Sequence, residues 1–388
     1  MPDEGGNNGG EPARQPLRAV VAIPVRNEAE RIGACLRALQ RQAGLEPGGF
    51  GVVLFLNNCT DGTAREVEGL GASLPHPLRV VSRDFAGAHA GWARRMAMDL
   101  AAEWLDAEGA PDGVVLTTDA DSRVPPDWIA RNLAALDAGA DAVAGRIALD
   151  PDEAAGLPPL LHARGRLEAQ YETLLLELAA RLAPDPDDPW PNHWTASGAS
   201  LAVRLDAYRK VGGLPRMALG EDRAFAERLR LFGMRVRHDP DIVVTTSGRL
   251  QGRAPGGAAD TIRRRCEDPD SACDDRLEPL GRALARFLLR RLARRRMNRR
   301  FLKRAGAIRP SAFHPLRPRD LPAQIGRARL LLALMRGLSR LRNALALPFA
   351  ALARAASPRA WPATAGDGVA RALKDEGAAD GSSAPASL

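Results

Sequence analysis

The stretch GVVLTTDADSRVPPDWIARNLAALDAGADAVAGRIAL, Gly113–Leu149, decides how the chain folds. GVVLTT is a short apolar run rich in β-branched residues, as a buried strand requires, and it ends in the polar turn DADSRV. PDWIARNLAALDAG then carries apolar residues at helical spacing, and DAVAGRIAL returns to the strand pattern. A strand, a helix and a second strand in that order build a parallel sheet. The turn is the costly part. Asp119 and Asp121 stand one residue apart at the end of a buried strand, where two carboxylates repel each other and lose solvation.

The same alternation extends upstream. RAVVAIPV (Arg18–Val25), GVVLFLNN (Gly51–Asn58) and LRVVS (Leu78–Ser82) read as strands. NEAERIGACLRALQRQ, TDGTAREVEGL and HAGWARRMAMDLAAEWLDAEG read as the helices between them, the second capped by Thr60 or Asp61. The expected fold is therefore α/β, a doubly wound, mixed and mostly parallel sheet. Such sheets bind ligands beyond the carboxyl ends of their strands. Asn27 and Glu28, Asn57 and Asn58, and Asp119 and Asp121 all fall just past strand ends on that edge.

Downstream, Leu160–Leu182 reads as an amphipathic helix and APDPDDPWPNHW as a proline-rich loop. TASGASLAV reads as a strand, RLDAYRKVGG as a short helix stopped by Gly212, and EDRAFAERLRLFG as another helix. MRVRHDPDIVVTTS reads as a closing pair of strands. After Gly248 the periodic signal fades until two helices, Leu277–Lys303 and Pro322–Ala356. The expected organisation is a disordered leader over 1–16, a catalytic domain over 17–250, a flexible linker over 251–275, a basic helical extension over 276–358 and a disordered tail over 359–388.

The net charge of +8 conceals an uneven distribution. Between Arg18 and Arg249 there are 26 basic against 32 acidic residues, so the surplus lies downstream. Aromatic residues make up 4% of the chain, too few for base-stacking platforms, and specific nucleic-acid binding is not expected. The four cysteines form no CxxC pair, which suits idle thiols in a reducing compartment. The polar, glycine-rich first residues carry no secretory signal, no apolar run reaches the ~18 residues of a membrane span, and a cytoplasmic location is expected.

IPVRNEAERIGACLRAL, NNCTDGTA, GWARR, TDADSRVPPDW, SGASLAVRLDAYRKVGG and GEDRAFAERLRLFG are each weak signals taken singly. As an ordered set over about Arg18–Arg249 they resemble glycosyltransferase family 2, whose members have the GT-A fold and use nucleotide sugars. The resemblance implies a metal-dependent, inverting transferase that moves one sugar from a nucleoside diphosphate to an acceptor hydroxyl. It makes DAD a metal motif, with Asp121 as ligand to Mg or Mn and Asp119 nearer the ribose or a coordinating water. The other reading of DAD is a polar turn ahead of the PPDW helix, with Ser122 or Asp127 as cap.

By the same resemblance Pro24, Asn27 and Glu28 lie along the nucleotide, Arg94 reaches it from the third helix, with Arg95 a weaker match, and Asn57 stands where relatives commonly carry a base-binding aspartate. Asp61 is either a ligand contact or a helix cap. Asp222 matches the position of the catalytic base, with Glu221 beside it. Ser197–Ser200 would line the sugar, and Trp194 either offers a ring face to it or is a core tryptophan beside a satisfied His193. VVTTSGR lacks the histidine that several relatives use as a further metal ligand, and no Gln-x-x-Arg-Trp motif of processive synthases is present. Two rival functions are a nucleotidyltransferase of similar topology and a non-catalytic sugar-nucleotide binding protein. The basic helix is expected either to pack its leucine stripe on protein or to lie against an anionic membrane as a peripheral contact.

Overall fold

The computed structural model describes residues 17–45, 48–71, 73–295 and 315–355. The leader and the tail expected from the sequence lie outside the described residues, as do residues 296–303 at the end of the Leu277–Lys303 helix.

Eight strands form one sheet: β1 (Ala19–Val25), β2 (Phe50–Asn57), β3 (Leu78–Arg83), β4 (Val114–Thr117), β5 (Ser122–Arg123), β6 (Ala142–Leu149), β7 (Leu201–Arg204) and β8 (Val236–Thr246). Their order is β3-β2-β1-β4-β7-β6-β8-β5. β1 pairs in parallel with β2 and β4, and β2 with β3. β7 runs antiparallel to both β4 and β6, and β6 and β8 are parallel. The sheet is thus mixed and mostly parallel, as the sequence led us to expect.

β1 and β2 are continuous apolar runs because both of their faces are covered. Alternate residues of β1 serve different cores. Val21, Ile23 and Val25 pack with α1 (Ile32–Gln40), and with Trp128, Ile129 and Leu133 of a helix that spans Trp128–Asp137. Val20 and Ala22 pack with Ala97, Met98, Ala101 and Leu105 on the other side. In chain order the helices after α1 are α2 (Thr63–Gly71), α3 (Ala90–Ala107), α4 (Trp128–Asp137), α5 (Pro151–Ala155), α6 (Pro159–Leu182), α7 (Leu205–Lys210), α8 (Glu221–Leu231), α9 (Ala258–Glu267), α10 (Leu280–Arg295) and α11 (Leu321–Ala355).

Three expectations need correction. The closing pair is a single strand, β8, interrupted by a bulge. Gly145 pairs with Asp239 and Arg146 with Val243, so residues 240–242 loop out of the ladder. Pro240 has no N–H to donate, which explains why the pairing breaks there. β5 was not expected; it pins the DAD turn to the end of β8, with Ser122 Oγ 2.8 Å from Thr246 Oγ1.

The third correction concerns 251–275, read as a flexible linker. It contains α9, and the segment after it is clamped by buried Arg164 of α6, which donates to the carbonyls of Pro269 and Ala272 and to Ser271 Oγ. The glycine-rich lead-in masked that short amphipathic helix. α10 likewise packs on α6, burying Leu280, Ala283 and Phe287, while Tyr171 donates to the Glu278 carbonyl at 2.8 Å. Of the described residues, those up to Leu332 make one compact unit, and Ala333–Ala355 belong to a second. Among the described residues no helix is long and apolar enough to cross a membrane.

Candidate active site

β4 ends at Thr117, and the chain then turns through Asp119 and Asp121. Arg94, on α3 beneath the turn, holds this edge together. Its Nη2 donates to Asp119 Oδ1 at 2.7 Å, its Nε to Glu221 Oε1 at 3.3 Å, and its Nη1 to Thr117 Oγ1 at 3.2 Å and the Gly198 carbonyl at 3.0 Å. Burial alone would lower the Arg94 pKa, but the charges of Asp119 and Glu221 outweigh it and the pKa rises. Gly198 in turn donates its N–H to Asp222 Oδ2 at 3.0 Å. Asp119, Glu221 and Asp222, which are far apart in sequence, therefore belong to one hydrogen-bonded network.

This network revises two roles expected from the sequence. Arg94 does not extend freely toward a nucleotide; its guanidinium is committed to two carboxylates. The close approach that Gly198 permits is that of Arg94, since a Cβ on Gly198 would stand 2.1 Å from Arg94 Cζ. Arg95 points elsewhere, pairing with Asp99 at 3.1 Å and donating to the Leu214 carbonyl.

Asp121 lies on the other side of the turn. Arg249, just beyond β8, reaches Asp121 Oδ2 at 2.9 Å and also clasps both oxygens of Glu28, with Nη1–Oε2 at 2.9 Å. Even so, the Asp121 pKa is raised to about 6, first by burial and then by the charge of Asp119. A cavity of about 260 Å³ lined by Glu30, Arg31, Ala34, Asp121, Ser122 and Arg123 opens beside it. Arg249 occupies the region after the last strand that carries no histidine in this sequence. The signal was available as the first charged residue after the last strand.

The residues expected along the nucleotide border the same edge. Pro24 is in β1, and Asn27 and Asn58 both adopt positive φ, 52° and 50°, which asparagine tolerates. Asn27 Oδ1 accepts from Thr60 N at 2.7 Å, tying the first strand end to the second. Asp61 Oδ1 accepts from Thr63 N at 3.0 Å and Oδ2 from Ala29 N at 3.2 Å, so the cap reading describes its side chain. Buried Asn57 donates to the Arg83 carbonyl at 3.2 Å. Asp127 does not cap α4; it pairs with Arg131, and Ser122 bonds Thr246, so the DAD turn is not serving that helix.

Asp222 faces a second cleft. α8 starts behind Gly220, whose φ of 72° turns the chain sharply enough to project Glu221 inward and Asp222 toward this cleft. Its volume is about 390 Å³, and its walls include Asp222, Trp194, Thr195, Glu172, Asp274 and Arg276. Burial raises the pKa of Glu172 on the cleft wall and of Glu221 behind it. Trp194 lines the cleft, whereas His193 is a structural residue. It accepts from Thr195 N through Nδ1 at 3.0 Å and donates from Nε2 to the Asp239 carbonyl at 3.1 Å. Burial and neighbouring His238 push its pKa down to about 4, which keeps the ring neutral. Arg276 and Asp274 come from the segment read as linker, and no motif flagged them.

Divalent magnesium or manganese takes oxygen ligands, commonly one or two carboxylates completed by substrate phosphates and water. Asp119 and Asp121 fit that donor set, with Asp121 crowded by the like charge of Asp119 in a partly buried turn. Among the described residues no cluster of three or more Asp, Glu, His or Cys forms a metal cage. Any ion here would therefore share its coordination with a ligand.

Residues 20–187 match the family model described as Glycosyl transferase family 2. Solved structures similar to this chain include S. aureus TarS 1-349 in complex with UDP-GlcNAc, at 17% identity and a TM-score of 0.44, covering 72% of each chain. Mannosyltransferase PcManGT from Pyrobaculum calidifontis, in complex with GDP-Man and Mn2+, is 19% identical with a TM-score of 0.45, over 86% of this chain and 81% of that one. Glucosyl-3-phosphoglycerate synthase from Mycobacterium tuberculosis, with Mn2+, UDP and phosphoglyceric acid, is 17% identical with a TM-score of 0.38, over 66% and 81%. No curated protein matches the chain.

Proposed function

We propose that this chain, whose residues 20–187 match the Glycosyl transferase family 2 model, is a glycosyltransferase that carries out an inverting, metal-assisted transfer of one sugar. The donor is a nucleoside diphosphate sugar and the acceptor a hydroxyl group. The observation that carries the reading is the chain of contacts Asp119–Arg94–Gly198–Asp222, which couples the carboxylates of the strand-end turn to the carboxylate of α8.

The donor lies over the strand ends, with its base and ribose along Pro24, Asn27, Glu28 and Asn57. Asp61 shapes this edge by capping α2. Asp121, with Asp119 beside it, would hold a divalent ion, which would supply positive charge to offset that of the departing diphosphate. Arg94 orients Asp119 and Glu221. Asp222 takes the proton from the acceptor hydroxyl. The acceptor oxygen then bonds the anomeric carbon from the face opposite the leaving oxygen, and the carbon–oxygen bond to the diphosphate breaks. The cleft between Trp194, Glu172 and Arg276 receives the acceptor.

The test separates binding from chemistry. Purified protein is screened by thermal stabilisation against UDP-, GDP- and dTDP-sugars with and without manganese, and donor turnover is followed for the sugar that stabilises it. Asp222→Asn is expected to keep the donor-induced stabilisation and to lower turnover by about two to four orders of magnitude, the range for a lost general base. Near-normal turnover in that variant would remove Asp222 as the base.

A further inference from the structure

The outer side of α10 is apolar. Phe287 and Ala283 are buried against the domain, while Leu288, Leu289 and Leu292 are 49%, 43% and 53% exposed. Ala285, Leu288, Leu289 and Leu292 recur at i, i+3, i+4 and i+7, so they form one stripe directed away from the packed face. The helix therefore has two apolar faces, and only one is used for folding. α11 repeats the spacing by itself, with Leu330, Leu334 and Leu338 exposed at intervals of four residues.

The charge around these leucines is of one sign. α10 holds six arginines and no acidic residue. Arg282 and Arg286 both pair with Glu278, one carboxylate for two guanidinium groups. From Pro279 to Gly366 the sequence has 21 arginines and lysines against a single acid, Asp320. Exposed leucines flanked by arginines match a bilayer interface, where acyl chains take the apolar stripe and anionic headgroups meet the guanidinium groups. A second copy of the chain fits less well, because joining two such stripes would crowd their arginines together. A nucleic acid could answer the charge but has no apolar surface for the leucines.

We propose that the outer face of α10 is a docking surface for anionic membrane, which holds the enzyme at a bilayer without spanning it. The inference does not depend on the transfer chemistry, and its readout is vesicle binding alone.

The full chain is sedimented with vesicles of phosphatidylcholine alone and of phosphatidylcholine with about 30% phosphatidylglycerol. The wild type is expected to bind the anionic vesicles, to bind neutral ones at least tenfold less, and to be released by 0.5 M salt, roughly what a Debye length of a few ångströms implies. Leu288→Glu/Leu292→Glu is expected to lose at least tenfold in anionic-vesicle binding, with its melting temperature unchanged because both side chains are exposed. Absence of binding to anionic vesicles would overturn the proposal, as would undiminished binding by the double variant. A wild-type dimer that the double variant converts to monomer, without vesicle binding, would assign the stripe to self-association and overturn it too.

Discussion

Arg94→Ala tests the network at its centre. The guanidinium makes four hydrogen bonds, two of them to carboxylates, and its side chain is only 8% exposed. Removing one partner of a buried ion pair costs about 3–5 kcal/mol, because the other charge stays buried and unpaired. Glu221 is as buried as Arg94, but Asp119 is 31% exposed and partly screened by water, so the lower end applies, about 3 kcal/mol. At about 2–4 °C per kcal/mol for a domain of this size, the melting temperature should fall by about 6–12 °C.

The pH dependence has a defined sign. Glu221 already has a raised pKa from burial, and loss of Arg94 removes the charge that holds it down. A group with a raised folded pKa contributes most below its unfolded value and loses that contribution as pH rises through the folded one. The gap between wild type and variant should therefore widen from pH 5 to pH 8. Arg94→Lys keeps the charge but cannot fork between both acids, so it should fall between the two. Thermal melts by circular dichroism at both pH values give the answer. A melting temperature for Arg94→Ala within about 2 °C of wild type would refute the reasoning, since it would mean the buried pair contributes under about 1 kcal/mol.

Other substitutions read the same site from different sides. Gly198→Ala should displace Arg94, as the added methyl would stand 2.1 Å from its Cζ; a crystal structure of the variant with Arg94 still on Asp119 would contradict this. Arg249→Gln should bind manganese more tightly in the absence of nucleotide. Breaking its 2.9 Å contact to Asp121 costs about 1.5 kcal/mol, or about tenfold in affinity, and unchanged calorimetric affinity would show that Arg249 does not compete with the ion. The metal-free Arg249→Gln protein should also melt lower, because buried Glu28 loses its clasp; an unchanged melting temperature would argue otherwise.

Much of the fold was legible because its determinants are local. β1 and β2 are unbroken apolar runs, and the helix from Ala90 to Ala107 is long and strongly periodic, so neither requires knowledge of distant partners. The bulge in β8 was not legible, since it depends on how Asp239–Ile242 meet β6. α9 was hidden by flanking glycines, and its segment is held by Arg164 from more than a hundred residues away. At the site, the carboxylates were legible through their motifs. What the arginines do was not: Arg94 and Arg249 act on Glu221, Asp119, Asp121 and Glu28, and those pairings exist only after the sheet has brought five separate segments together. Charge complementarity between remote residues leaves no periodic trace in a chain.

The central claim is that Asp121, with Asp119, grips a divalent ion on the donor diphosphate. Calorimetric titration of UDP and of GDP into the wild type and Asp121→Ala, with and without manganese, tests it most directly. The account predicts that at least one of the two nucleotides binds the wild type, that withdrawing manganese weakens it at least tenfold, or about 1.4 kcal/mol, and that Asp121→Ala removes this metal dependence. Nucleotide binding that is indifferent both to manganese and to the loss of Asp121 would contradict it.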